Sequence, residues 1–270
     1  MVQPPSTYPM RGIIYFFSNW ILIRRIIGVL LLTMMVTLII TGLTFGFLLS
    51  LQAHALINAN CPIWLSWIVA TIFCILEIVL MTIIFYLIMT PFWQDSLFDD
   101  VLRLRGLEPI LNKSRTRVSE TRMFFRGISS GILLVILQVY VLILFQIITL
   151  IITLPLHAFP LIGTFMYCYL NAWIMTWSQL IHYHLEIKEL SINESRKLAW
   201  KNREDYILFG IVAVALELIP MANFIFFWTN VVGAALWTSD IIIEERRAGL
   251  NRSVEFTRSI VEEEESYQQY

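Results

Sequence analysis

Two carboxylates, Glu77 and Glu217, stand inside long apolar runs. An ionised carboxylate at bilayer depth costs several kcal/mol, so it must face the protein interior, find a hydrogen-bond donor, or take up a proton. Two roles are open to such a group. One is a cation or proton site, or a gate on a pore. The other is a structural hydrogen bond to Asn, Tyr, Trp or backbone. Glu217 lies just before Pro220, and a proline break in a helix frees backbone N–H groups that suit the structural role. Asn223 and Asn230 lie close by in sequence, and with Gln138, Gln146 and Asn171 they are the amides available to bond across helices, at about 1 kcal/mol each.

Other chemistry finds little support. His182 and His184 point apart on a helix, and no Cys/His/Asp cluster completes a ligand set, so no metal site is expected. Cys61, Cys74 and Cys168 have no paired spacing, which argues against a disulfide framework. The chain carries no Gly-rich phosphate loop, no GxSxG and no HExxH. Catalytic residues and cofactors are therefore expected to be absent, and the chain reads as a non-enzyme.

The elements that position these residues are set by composition. Hydrophobic residues make up 58% of the 270, and charged residues only 14%; soluble domains average about 45–50% and about 25%. One soluble core of this size cannot bury that excess, so lipid must be part of the solvent. A net charge of −1 supplies no basic field for a nucleic-acid partner.

Runs 26–51 and 63–90 read as two long transmembrane helices, the second closed by Pro91. The start, MVQPPSTYPMRG, is unlike a cleaved signal peptide, so the first run is expected to stay as an anchor. Polar segments cover 92–126 and 183–205, and the loop 52–62 carries no full charge. Within the first polar segment, Ser96–Asp99 resembles a capping box and Gly106 is placed to end a helix. Leu97, Phe98, Val101, Leu102 and Leu104 repeat at helical spacing, which predicts a short helix lying in the membrane interface; a loop helix free of lipid is the alternative. Ser191–Glu194 is a capping box opening another helix.

Pro155 and Pro160 divide the uncharged stretch into runs 128–154 and 161–181. Runs 206–219 and 223–239 meet at Pro220, and each arm reaches roughly 22 Å against a hydrocarbon core of roughly 30 Å. Each pair is a helical hairpin, re-entrant or spanning. Eight Trp residues, among them Trp173, Trp177 and Trp237, bracket the runs as an interfacial belt. Lys and Arg fall only in 1–25, the two polar segments and the tail 244–270, so the positive-inside rule places both termini in the cytosol. The expected organisation is a cytosolic segment 1–25, one membrane domain 26–243 and a charged tail that starts as a helix.

Four motifs occur in order: FPLIGTFMYCYLNAW (159–173), RKLAWKNREDYILFG (196–210), ELIPMANF (217–224) and TNVVGAALW (229–237). With TYPMRGIIYFF near the start, the chain resembles the family of the bacterial sulfate permease CysZ and the eukaryotic etoposide-induced protein 2.4. The likeness is to its fungal branch, which includes yeast lipid-droplet and outer-spore-wall proteins. The resemblance implies an all-α membrane protein with two long transmembrane helices, two helical hairpins that partly penetrate the bilayer, and cytosolic interfacial helices. It implies the endoplasmic reticulum and lipid droplet as location, a bilayer or monolayer as partner, and a homo-oligomer as an open option. It also implies that an anion site could form at the start of the first long helix. Arg24 and Arg25 match there in kind, although Ile26 stands where the family usually has Pro. Two functions stay open: a lipid-related or scaffolding protein, and an oligomeric channel or permease for a small anion such as sulfate.

Overall fold

A computed structural model describes residues 2–111 and 160–268, with side chains for 2–111 and 162–250. The run 128–154, Pro155, Gln138 and Gln146 lie outside the described residues. Among the described residues every regular element is a helix. A 3-10 turn at Pro5–Thr7 leads into α1, Tyr8–Ser18. Helix α2, Trp20–Leu43, runs through a π-helical turn at Thr44–Leu48 into α3, Leu49–Asn58. Helix α4 is Ile63–Leu104. Helix α5, Pro160–His182, passes through a second π-helical turn, Tyr183–Ile187. Then come α6, Ile192–Lys201, α7, Arg203–Glu217, and α8, Asn223–Gln268. Three described stretches are long and apolar enough to cross a membrane: Trp20–Asn58, Ile63–Leu104 and Asn223–Leu250.

The described residues form two compact units: 19–96, and 2–18 with 97–111 and 160–268. In the first, α2, α3 and α4 leave most of their apolar side chains exposed. Leu31, Met34 and Leu38 are each 62% exposed and Leu51 is 70% exposed. Side chains of this kind gain about 1.5–3 kcal/mol each on leaving water, so lipid is the solvent that stabilises this surface. The polar groups comply. The hydroxyls of Thr33, Thr37 and Thr41 each donate to the carbonyl four residues back, at 2.8–2.9 Å, so these three donors are not left bare toward the lipid.

Two boundaries differ from the sequence reading. The loop expected at 52–62 is confined to 59–62, and residues 52–58 complete α3. Nothing in 52–58 breaks a helix, and Asn60 turns the chain with a left-handed φ of 64°. Pro91 does not close the second run, because α4 continues through it to Leu104. A membrane helix tolerates the missing N–H of a proline; one residue before the break the Thr90 hydroxyl donates to Tyr86 O, at 2.6 Å.

As a result the separate interfacial helix expected around 97–104 does not exist. Ser96–Asp99 lies inside α4 and forms no capping box. Leu97, Phe98, Val101 and Leu102 are buried in the second unit instead of facing lipid, while Leu104 stays exposed. Phe98 packs edge-on against the His182 ring. Gly106 ends the helix as expected, at φ 74°. Leu107 N donates to Leu102 O and Gly106 N to Arg103 O, the paired closure that a left-handed glycine permits.

The second unit is built around α8, whose residues 228–239 are all buried. Small residues set how near its neighbours come. A Cβ on Gly233 would lie 2.6 Å from Tyr8 O, and Gly12 faces the backbone of Thr229 and Gly233, so α1 crosses α8 at backbone contact. Likewise α7 crosses α5 where Gly210 meets the Ala172 backbone. The Thr176 hydroxyl donates to Tyr206 O at 2.7 Å beside that crossing. Trp237 fills the centre, stacked on Phe209 at 5.6 Å and on Tyr8 at 6.2 Å, with Tyr206 edge-on at 5.7 Å.

Candidate functional site

The hairpin α7–turn–α8 carries the carboxylate nearest a turn. Glu217 ends α7, and its Oε1 accepts from Asn230 Nδ2 at 2.9 Å. The same amide donates to Ala213 O at 3.0 Å, so one fully buried Asn ties both the side chain and the backbone of α7 to α8. Pro220 lies in the turn, followed by Met221 at a left-handed φ of 67°. Asn223 is not part of this pair. It starts α8, and its Oδ1 accepts from Phe224 N at 2.7 Å. Pro160 opens α5, as proline suits a first helical turn.

Beyond the hairpin, α8 carries a second polar centre. Asp240 Oδ2 accepts from Tyr8 Oη at 2.9 Å and from Arg11 Nη1 at 3.3 Å. Arg105 Nη2 donates to its other oxygen, and Arg105 Nε to Ser239 Oγ at 3.1 Å. The Arg11 guanidinium also sits over the Tyr8 ring, 5.0 Å from its centre. Burial raises the Tyr8 pKa above its ordinary value, the Gln3 N–H opposing, so the phenol stays a donor to Asp240. One carboxylate thus joins α1, the end of α4 and α8. Sequence reasoning missed this centre, because Asp240 reads as the end of a run and its cationic partners are remote in the chain.

The two histidines diverge. His182 Nε2 pairs with Asp99 Oδ1 at 3.0 Å. His184 is buried, with Nδ1 2.7 Å from Ser195 Oγ and Nε2 3.0 Å from Tyr206 Oη. Trp177 Nε1 donates to the same Ser195 oxygen at 2.9 Å. A serine beside an imidazole is the geometry of an activated nucleophile, but both groups are sealed from solvent and the far ring nitrogen is engaged. Burial lowers the His184 pKa to about 4, with Lys188 adding to the effect, so the ring is neutral at pH 7. The arrangement locks the π-helical turn against α6 and α7.

In the other unit, Glu77 Oε1 accepts from Gln52 Nε2 at 2.6 Å. Gln52 Oε1 lies 3.7 Å from Cys74 Sγ. The carboxylate therefore bridges α3 and α4, through a glutamine that lies within α3 and not in the loop expected at 52–62. Arg24 and Arg25 lie near the start of α2, both exposed.

The chain matches a protein-family model described as sulfate transporter CysZ/etoposide-induced protein 2.4 over residues 8–227. It is also 30% identical over 92 residues to outer spore wall protein RRT8 of Saccharomyces cerevisiae, a stretch covering 34% of this chain and 27% of that protein. No solved structure matches.

Proposed function

The chain belongs to the CysZ/etoposide-induced protein 2.4 family of membrane proteins, and on that premise we propose a non-enzymatic, multi-pass protein of the endoplasmic reticulum and lipid droplet with a lipid-related or scaffolding role. The observation that carries the reading is the tip of the α7–α8 hairpin. Leu218, Ile219 and Met221 are 42%, 46% and 96% exposed around Pro220, and no charge interrupts them. At the other end of the arms stand Arg203, Glu204 and Asp205, then Asp240 and Glu244. An apolar tip with polar ends can enter a monolayer and turn back, and a monolayer is the surface a lipid droplet offers. Both termini then lie in the cytosol. The partial likeness to an outer spore wall protein supports the spore wall as a further setting. A fluorescently tagged copy is expected on droplet rims and the reticulum. Strict exclusion from droplets with a plasma-membrane signal would sink this reading.

The family description also favours a second reading, an oligomeric anion pathway in which the exposed Arg24 and Arg25 contribute an anion site. Sulfate flux into liposomes carrying the purified protein tests it. Flux unchanged by Arg24→Gln with Arg25→Gln removes that site, and absent flux removes the reading.

A further inference from the structure

We propose that the outer face of α6 is a docking surface for anionic phospholipid headgroups. The inner face of α6 is fixed by two tryptophans of α5. Trp177 Nε1 donates to Ser195 Oγ at 2.9 Å and Trp173 Nε1 to Ala199 O at 3.2 Å. Ser195 and Ala199 lie one turn apart and are fully buried, so the rotation of α6 about its axis is set. Helical geometry then directs Arg196, Lys197, Trp200 and Lys201 outward, and all four are exposed. Their neighbour Arg203, also exposed, holds its guanidinium 5.8 Å from the centre of the Trp200 ring.

Trp200 is 60% exposed, yet its ring touches Trp173 edge-on at 5.7 Å, and Trp173 stacks on Trp177 at 5.6 Å. The three indoles form a continuous belt from the membrane-domain helix α5 to the outer face of α6. Tryptophan favours the headgroup layer, where an amphipathic ring has one wet end and one dry end. The belt thus places α6 at headgroup level and sets its cations at the height of the phosphates.

Charge selects the occupant. Among the described residues no hydrogen bond or ion pair within contact distance engages Arg196, Lys197 or Lys201, and Lys197 is near enough to Glu194 to help Ser191 hold its carboxyl below the ordinary range. The acidic groups nearby are Glu194, Glu204 and Asp205, each in the first turn of a helix. Glu194 is bound by Ser191 in the capping box, where Ser191 N donates to it at 2.8 Å; Glu204 and Asp205 sit where the α7 dipole favours them. The outward face is left cationic and aromatic, the combination that suits an anionic lipid surface. This inference is independent of the organelle assigned above and stands or falls in purified components.

The test uses the full chain in neutral detergent, titrated with brominated phosphatidylserine or brominated phosphatidylcholine, with tryptophan fluorescence as readout. The chain has nine tryptophans, so the Trp200 signal is the difference between wild type and Trp200→Phe. Phosphatidylserine should quench that component at far lower concentration than phosphatidylcholine. Substituting Arg196→Gln, Lys197→Gln and Lys201→Gln together should raise the half-quenching concentration about a hundredfold at low salt. The charge-preserving set Arg196→Lys, Lys197→Arg and Lys201→Arg should leave it near wild type. Equal quenching by both lipids, an unchanged triple-Gln protein, or displacement by inorganic phosphate alone would overturn the proposal.

Discussion

At the scale of single residues, the polar groups of this protein act by closing contacts between helices. Asp240 shows how magnitudes rank them. Its Arg11 partner is 37% exposed, so that pair is screened and worth little, whereas Arg105 is 28% exposed and also bound to Ser239. Asp240→Ala leaves two guanidinium groups and the Tyr8 hydroxyl without their acceptor. We expect a loss of about 2 kcal/mol, most of it through Arg105, read as a lower thermal midpoint in detergent. Arg11→Gln should cost well under half as much. His184 gives a pH dependence of definite sign. In the folded chain it takes up a proton only near pH 4, against 6.5 ordinarily. Between those values the unfolded chain binds more protons, so stability rises with pH across that window. Stability from this group is complete above about pH 6.5 and is lost as pH falls toward 4, by about 3 kcal/mol in all. A thermal midpoint that fails to fall between pH 7 and 4.5, or falls equally in His184→Gln, would contradict this account.

At the scale of elements, two crossings decide the packing of α1, α5, α7 and α8. Each places a glycine against a neighbouring backbone, and a backbone cannot move aside as a side chain can. Gly210→Ala should therefore force α7 away from α5, opening the contacts of Thr176 with Tyr206 O. We expect about 2 kcal/mol of destabilisation from a single methyl group. By contrast Gly28→Ala, with open space around its Cβ position and a helical backbone, should stabilise by about 0.5–1 kcal/mol. Comparing the two midpoints separates steric crossing from helix propensity. The capping box at Ser191 and the glycine closure at Gly106 are local devices, and both were readable because each depends on residues within one turn. The continuation of α4 through Pro91 was not, because the acceptor left by proline is tolerated or fatal depending on what surrounds it.

At the scale of the whole molecule, the exposed apolar surface of α2 to α4 and the buried length of α8 use hydrophobicity in opposite ways. The same kind of run serves lipid in one unit and a protein core in the other. The α7–α8 turn tests the proposed monolayer-compatible topology. A cysteine placed at Ala222 should be protected from water-soluble maleimide added on either side of the bilayer. Labelling from the side opposite the termini would show a true span and rule out a re-entrant hairpin.

The amino-acid sequence alone determined the solvent of this protein, its helical class, the hairpin break at Pro220 and the presence of two carboxylates needing partners. These follow from composition, local periodicity and proline stereochemistry, which require no knowledge of distant residues. The tertiary structure decided which groups donate to those carboxylates: Gln52 to one oxygen of Glu77 and Asn230 to Glu217. It also turned the helical face Leu97–Leu102 inward and joined Arg11, Arg105 and Tyr8 on Asp240. Apolar spacing shows that a face is buried without showing whether lipid or protein covers it, and a hydrogen-bond partner two hundred residues away leaves no local trace. Those choices belong to the packing of helices against one another.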